Sequence, residues 1–451
     1  MVVTSPTRAF TAAGPGTSAA VWGRHLTPDC LEAARLDGVR RVVVVSAHPD
    51  DESLGAGGLV ATAVSLDLAV DLVCVTDGEG SHPRSPTHTP TDLGNRRATE
   101  LIHAARALGV DPARTRRLRL PDGGLDAHVG DLTTALVELV GDGRDTVIAA
   151  PWVDDGHPDH EAVGRAASAA ARRTGAQLWE FPIWFWHWAS PRDALARRLR
   201  PFALGAPATE RKRRAIAAHR SQVSDLSTLD GDETLLTPEL LAHFAGEHEW
   251  FVITPAEDCA DDALDRLHQE TPDPWGVDSR WYEQRKRALL LAALPRARFR
   301  HALEIGCSTG ALTEALAERA SRVLGVDRSV TALNAARRRV SGLSHVAVAD
   351  LDVPQGWPDE GPFDLVVVSE VGYFLSPQAL DSLVDRIAAC ISRDGVLVLC
   401  HWRHPVEGWV ADAAEVHRRF HQGPLPALQA EYRDRDVEIR IHADRWPDPT
   451  G

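Results

Sequence analysis

Val42-Val43-Val44-Val45-Ser46-Ala47-His48-Pro49-Asp50-Asp51-Glu52 is the stretch on which the reading of this chain turns. Its opening run of valines is continuous rather than alternating. Such a run is a strand buried on both faces, as in a parallel sheet covered by helices. In open α/β sheets, ligand chemistry collects just beyond the carboxyl ends of the strands. That place here carries one imidazole and three acids, and Gly55-Ala56-Gly57-Gly58 follows to open a helix. A second apolar run, Thr146-Val147-Ile148-Ala149-Ala150, leads to His157-Pro158-Asp159-His160. Two strand-end clusters on one sheet can offer a His/Asp/His set to a single divalent metal and leave a position for water, the arrangement of a catalytic zinc hydrolase. Taken singly, a strand-end histidine is an ordinary capping residue, and acids at a helix start merely suit its dipole. The coincidence of His48, Asp51 and His160 is what points to chemistry.

Outward from these clusters the chain alternates. Strands are expected at 41–46, 70–76, 115–120, 146–150 and 177–182, with helices beginning near Gly57, Gly94, Val129 and Asp159. The alternation predicts a doubly wound α/β sheet. A basic helix over Glu210–Gln222 and a strand over Trp250–Thr254 follow. The acidic stretch 256–278, broken by Pro272 and Pro274, reads as a connection. Beyond it the alternation restarts, with strands at 302–305, 322–326, 344–348, 363–368 and 395–400. A helix near 409–420 and an antiparallel hairpin at 428–432 and 437–442 close the chain. The expected organisation is an N-terminal extension 1–37, a first domain 38–255, the connection 256–278 and a second domain 279–451. At 451 residues, more than one core is expected in any case.

The net charge of −15, from 64 acids against 49 bases, argues against a nucleic-acid or anionic-membrane partner. No run reaches membrane-spanning length, and the first twenty residues lack the apolar segment of a signal peptide. The six cysteines form no CxxC pair and read as reduced core thiols of a cytoplasmic protein.

In the second half, Leu303-Glu304-Ile305-Gly306-Cys307-Ser308-Thr309-Gly310 follows a strand and opens a helix. Its glycines allow a tight turn and close backbone approach to a ligand. Val323-Leu324-Gly325-Val326-Asp327 is a strand ending in an acid that can bind ribose hydroxyls. A nicotinamide-binding domain fits these two elements equally well. Ala349-Asp350-Leu351, suited to an adenine contact, and the strand Phe363–Val368 with its polar end Ser369-Glu370 tip the balance.

The AHPDDE and HPDH clusters are similar to those of the LmbE-like, or PIG-L, zinc-dependent N-deacetylases. Thr76-Asp77-Gly78-Glu79, Arg96–Leu101, Leu120–Leu125 and His219-Arg220-Ser221-Gln222 extend the resemblance over roughly 38–255. It implies metal ligation by His48, Asp51 and His160, with zinc as the ion. Asp50 would be the general base that takes a proton from the attacking water, and His157 would stabilise the oxyanion or protonate the leaving amine. Arg97 and Asp122 match positions that contact sugar hydroxyls, because the family's substrates are mostly N-acetylated amino sugars. The aromatic run Trp179–Trp188 reads either as core packing or as a stacking wall.

The second half resembles class I S-adenosylmethionine-dependent methyltransferases, with Ser308 standing where a glycine is common. The cofactor would contact Glu304, Gly306, Gly310, Asp327 and Asp350. Asp273-Pro274-Trp275 and His401-Trp402-Arg403-His404-Pro405 narrow the likeness to the nodulation-type N-methyltransferases over about 268–445. The fold class implied is two doubly wound α/β domains in tandem, the second Rossmann-like. The expected function is bifunctional: hydrolysis of an N-acyl group on an amino-sugar-like small molecule, plus methylation, with the freed amine as the favoured acceptor. Two other readings stay open, O-methylation of a separate group and a second half that binds the cofactor without turnover.

Overall fold

Two seven-stranded sheets, one in each half, carry the fold. The computed structural model describes residues 16–446, so the first fifteen residues of the expected extension and the last five of the second domain lie outside the described residues. The described chain forms two compact units that divide between Ala260 and Asp261.

The first sheet contains β1 Arg41–Ser46, β2 Ala69–Cys74, β3 Thr115–Arg117, β4 Thr146–Pro151, β5 Gln177–Phe181, β6 Leu199–Ala203 and β7 His248–Thr254. Its order is β3-β2-β1-β4-β5-β7-β6. β1 to β5 pair in parallel, and β7 runs antiparallel to both β5 and β6. The strand order reverses between β1 and β4, and the crevice beyond their carboxyl ends is where such sheets bind ligands. Val42, Val43, Val44 and Val45 are all fully buried, as the continuous run requires.

Three local details depart from expectation. The helix after β1 starts at Asp51, not near Gly57, so Asp51 and Glu52 occupy its first turn. Close helix–sheet packing explains Gly55: a Cβ there would lie 2.1 Å from the ring of Phe181. β3 ends at Arg117 rather than Leu120, because Arg119 takes φ +57° and turns the chain. β6 was not foreseen because it contains Pro201. A proline is tolerated there because the strand lies at the sheet edge.

The second sheet contains β8 Ala302–Ile305, β9 Val323–Asp327, β10 Val346–Asp350, β11 Phe363–Ser369, β12 Ile391–Trp402, β13 Leu428–Arg433 and β14 Val437–Ala443. Its order, β10-β9-β8-β11-β12-β14-β13, repeats the pattern of the first. β13 and β14 form the expected antiparallel hairpin, paired through β14 to β12. The stretch 256–278 is not wholly extended connection. It contains a helix, Ala263–Glu270, whose Asp265 accepts from Ser329 Oγ at 2.6 Å. All six cysteines are free, but only Cys74, Cys259, Cys307 and Cys400 are buried. Cys390 is half-buried and Cys30 is exposed, so the expectation of six core thiols fails at those two positions. Among the described residues, no helix is long and apolar enough to cross a membrane.

Candidate functional site

His48 leaves the end of β1, Asp51 opens the next helix, and His160 sits in the first turn of helix Pro158–Thr174 after β4. The fold brings the three together so that one ligand atom from each lies within 4.8 Å of the others. His160 Nε2 lies 3.3 Å from Asp51, and His48 Nδ1 lies 3.6 Å from it. His160 Nε2 is buried and has no hydrogen-bond partner, as suits a nitrogen that ligates a metal. An imidazole pair with a carboxylate is a donor set that zinc accepts.

Both imidazoles are backed by carboxylates. His160 Nδ1 donates to Asp155 at 2.7 Å. His48 Nε2 lies 3.1 Å from Asp122 and 3.4 Å from Asp159. Burial alone would push His48 down, but the hydrogen bonds to Asp122 and Asp159 outweigh it and hold the group well above its usual value. Asp122, expected at the sugar, lies against His48 and accepts from Gly80 N–H at 2.8 Å. Asp159 is itself held by Gly123 N–H at 2.8 Å.

Asp50 adopts φ +146°, a sparsely populated region whose strain is of the order of 1–3 kcal/mol and gathers at functional sites. Burial lifts its carboxyl to about 6, against the pull of Arg97. The Arg97 guanidinium donates to Asp50 at 3.1 Å and to the carbonyls of Pro49 and Gly78 at 2.9 Å each. Arg97, expected at the sugar, is itself buried against Asp50. Beneath lies a buried group formed by His219 Nε2, 3.1 Å from Glu52, and Ser53 Oγ, which donates to Glu52 at 2.7 Å. Glu52 in turn accepts from Asp50 N–H at 3.1 Å.

His157 caps its helix, its Nδ1 accepting from Asp159 N–H at 3.2 Å, which leaves the hydrogen on Nε2. Burial, followed by the neighbouring His160 and His48, lowers it to about 3, so the ring is neutral. Of the aromatic run, Trp179, Phe181, Phe185 and Trp186 are core, while Trp184 and Trp188 are half-buried. Asp155 and Asp159 were missed by sequence reasoning. Acids adjoining the histidine pair on the strand-end loop were the available signal.

In the second unit, Gly306 takes φ +78°, and a Cβ there would lie 2.7 Å from Val371. Ser308 takes φ +46°, a conformation in which glycine would be unstrained. Its N–H donates to Asp327 at 2.8 Å, and Ser329 N–H donates to the same carboxylate at 2.9 Å. Burial raises the Asp327 carboxyl, with those amides opposing. Glu304 is buried at the end of β8, accepts from Thr313 Oγ1 at 2.5 Å, and is pushed up to about 8 by that burial. Gly310 opens the following helix at φ +80°. Asp350 ends β10 in register with Asp327 and is exposed. His401 is fully buried and its Nε2 accepts from Gly372 N–H at 3.3 Å, whereas His404 is bound to Asp436 at 3.0 Å. Sequence reasoning did not foresee Lys286, which lies 2.7 Å from Glu283 and 3.3 Å from Glu370 at the end of β11.

Residues 43–171 match the family model described as PIG-L, GlcNAc-PI de-N-acetylase, and residues 256–416 match that of nodulation protein S (NodS). Nodulation protein S of Rhizobium tropici is 38% identical over 104 residues, which is 23% of this chain and 43% of that protein. The 1D-myo-inositol 2-acetamido-2-deoxy-alpha-D-glucopyranoside deacetylase of Mycobacterium sp. (strain KMS) is 32% identical over 170 residues, 33% of this chain and 54% of its own length. Among solved structures, the N-methyltransferase NodS from Bradyrhizobium japonicum WM9 in complex with S-adenosyl-l-homocysteine is 27% identical, with 41% of this chain and 98% of that one covered and a TM-score of 0.36. The chain spans 43%, 62% and 61% of three of the nodulation proteins it matches.

Proposed function

From a chain that carries a PIG-L domain at 43–171 and a NodS-type methyltransferase domain at 256–416, we propose a bifunctional enzyme acting on an amino-sugar-like small molecule. The first activity removes an N-acyl group, and the second methylates the exposed amine with S-adenosylmethionine. The observation that carries the reading is the buried His160 Nε2 facing Asp51 beside His48. The name of the mycobacterial relative points to a 2-acetamido-2-deoxy-glucoside as the substrate class.

His48, Asp51 and His160 would hold the zinc ion. When bound, such an ion supplies a Lewis acid that polarises the acyl carbonyl and makes water more acidic. The remaining chemistry belongs to the chain. Asp50, poised near neutrality and held by Arg97, takes the proton of the attacking water. The neutral His157 donates Nε2–H to the oxygen on which charge develops. Asp50, protonated by that step, can pass its proton to the departing nitrogen.

In the methyltransferase unit, Gly306, Gly310, Asp327, Asp350 and Glu304 would hold the cofactor, the glycines by leaving room for it and Asp327 by accepting from its ribose hydroxyls. Asp327→Ala is expected to weaken S-adenosylmethionine binding, since the hydroxyl donors would go unpaired at about 1–3 kcal/mol. Calorimetry of the full chain measures this, and binding of a nicotinamide dinucleotide instead would overturn the cofactor assignment. A Cβ at Gly306 would strike Val371 at 2.7 Å in a backbone region that disfavours side chains, so Gly306→Ala should lower the same affinity without touching deacylation.

Mass spectrometry of glucosamine, N-acetylglucosamine and their glycosides, incubated with enzyme, zinc and S-adenosylmethionine, tests the whole reading. Loss of acetyl followed by gain of methyl on the same molecule is the expected result. Methyl appearing on intact N-acetylated compounds would favour a hydroxyl acceptor, and deacetylation without any methyl gain would favour a cofactor-binding second half.

A further inference from the structure

Asp155, on the loop between β4 and helix Pro158–Thr174, is fully buried and takes no part in the chemistry above. Its carboxylate receives four donors. Oδ2 accepts from His160 Nδ1 at 2.7 Å and Trp184 N–H at 3.1 Å. Oδ1 accepts from Ile183 N–H at 2.7 Å and Phe185 N–H at 3.1 Å. Its main-chain carbonyl accepts from Trp188 Nε1 at 2.7 Å. One residue therefore grips a candidate metal ligand and the aromatic stretch beyond β5. That stretch is also held by residues that precede the 43–171 match. Thr17 N–H donates to His187 O at 2.8 Å, and Trp22 Nε1 donates to Trp186 O at 2.9 Å.

A carboxylate facing Nδ1 accepts and cannot donate, so Nδ1 carries its hydrogen and Nε2 is left for the metal. We propose that Asp155 is a positioning residue that fixes the His160 tautomer and ties the metal site and the aromatic stretch 183–188 into one unit. This rests on the metal-site reading above. Carboxylate partners of this kind orient a ligating imidazole and raise its basicity, and losing one typically costs 10–100-fold in metal affinity.

Asp155→Asn separates this from bulk. Whichever way the amide faces, its NH2 is set against two donors. Facing His160, it drives the imidazole hydrogen onto Nε2, the ligand atom. Facing the other way, it opposes the amides of Ile183 and Phe185 and displaces the loop. Zinc alone, titrated into the full chain against a chromophoric chelator, should bind about 10–100-fold more weakly. Near-ultraviolet circular dichroism should change as the tryptophans move, with the far-ultraviolet spectrum unaltered. Unchanged zinc affinity overturns the proposal, and weaker zinc with an unchanged near-ultraviolet spectrum overturns the link to the aromatic stretch. Asp154→Asn, at a partly exposed neighbour 3.6 Å from Arg198, should alter neither, and an equal loss there would reduce the effect to loop damage. Should Asp155→Asn fail to fold, Trp22→Phe, which removes the hydrogen bond to Trp186 and trims the ring packed on Phe185 and Trp186, should still weaken zinc in the same direction by a smaller factor. No change there sinks the single-unit view. A wild-type chain that takes up no zinc would instead defeat the metal reading on which this rests.

Discussion

His160→Ala is expected to strip the divalent metal from the protein and abolish N-deacylation together. The side chain is buried between Asp51 at 3.3 Å and Asp155 at 2.7 Å, so alanine removes a ligand atom from the centre of the cluster. Losing an imidazole's carboxylate partner typically costs 10–100-fold in affinity, and losing the ligand itself should cost more than about 100-fold. The substitution also takes one of the four donors from Asp155, whose Oδ2 keeps Trp184 N–H. His48→Ala and Asp51→Ala should behave in the same way. Metal analysis of the purified variants decides the matter, and full occupancy in His160→Ala would remove that residue from the ligand set.

Asp50→Ala should do the opposite with the metal and the same with turnover. Asp50 adjoins a ligand without being one in this assignment, so metal content should hold while deacylation falls about 10²–10⁴-fold, the usual contribution of a positioned base. The substitution also reaches the second reaction. An amide nitrogen shares its lone pair with the carbonyl and is a poor nucleophile. The amine left by deacylation is a good one when unprotonated, and joining the two activities in one chain raises its effective concentration. Asp50→Ala should therefore stop methylation of an N-acyl substrate while sparing methylation of the same substrate supplied as the free amine. Both rates follow from methyl incorporation with the two substrates side by side. Methylation of the intact N-acyl compound at the wild-type rate would place the acceptor elsewhere, on a hydroxyl, and end the idea of sequential steps.

Local sequence was sufficient wherever the determining interactions are short in range. The runs Val42–Val45 and Val366–Val368 are strands because continuous β-branched residues have only the buried interior of a parallel sheet to occupy. The clusters at their ends and the glycine loop at 306–310 were legible because backbone turn and chemistry lie within a few residues. The sequence therefore determined two tandem α/β units and the strand-end places of the histidine–aspartate clusters and the glycine loop. Tertiary structure alone decided which partners Arg97, Asp122, Asp155 and Glu52 meet. Arg97 meets Asp50 from 47 residues away, and His219 meets Glu52 from 167. No local periodicity encodes such a distance. Buried polar groups must find partners wherever the fold supplies them. That requirement set Arg97 against Asp50 and Asp122 against His48, and placed an unremarked acid, Asp155, on His160.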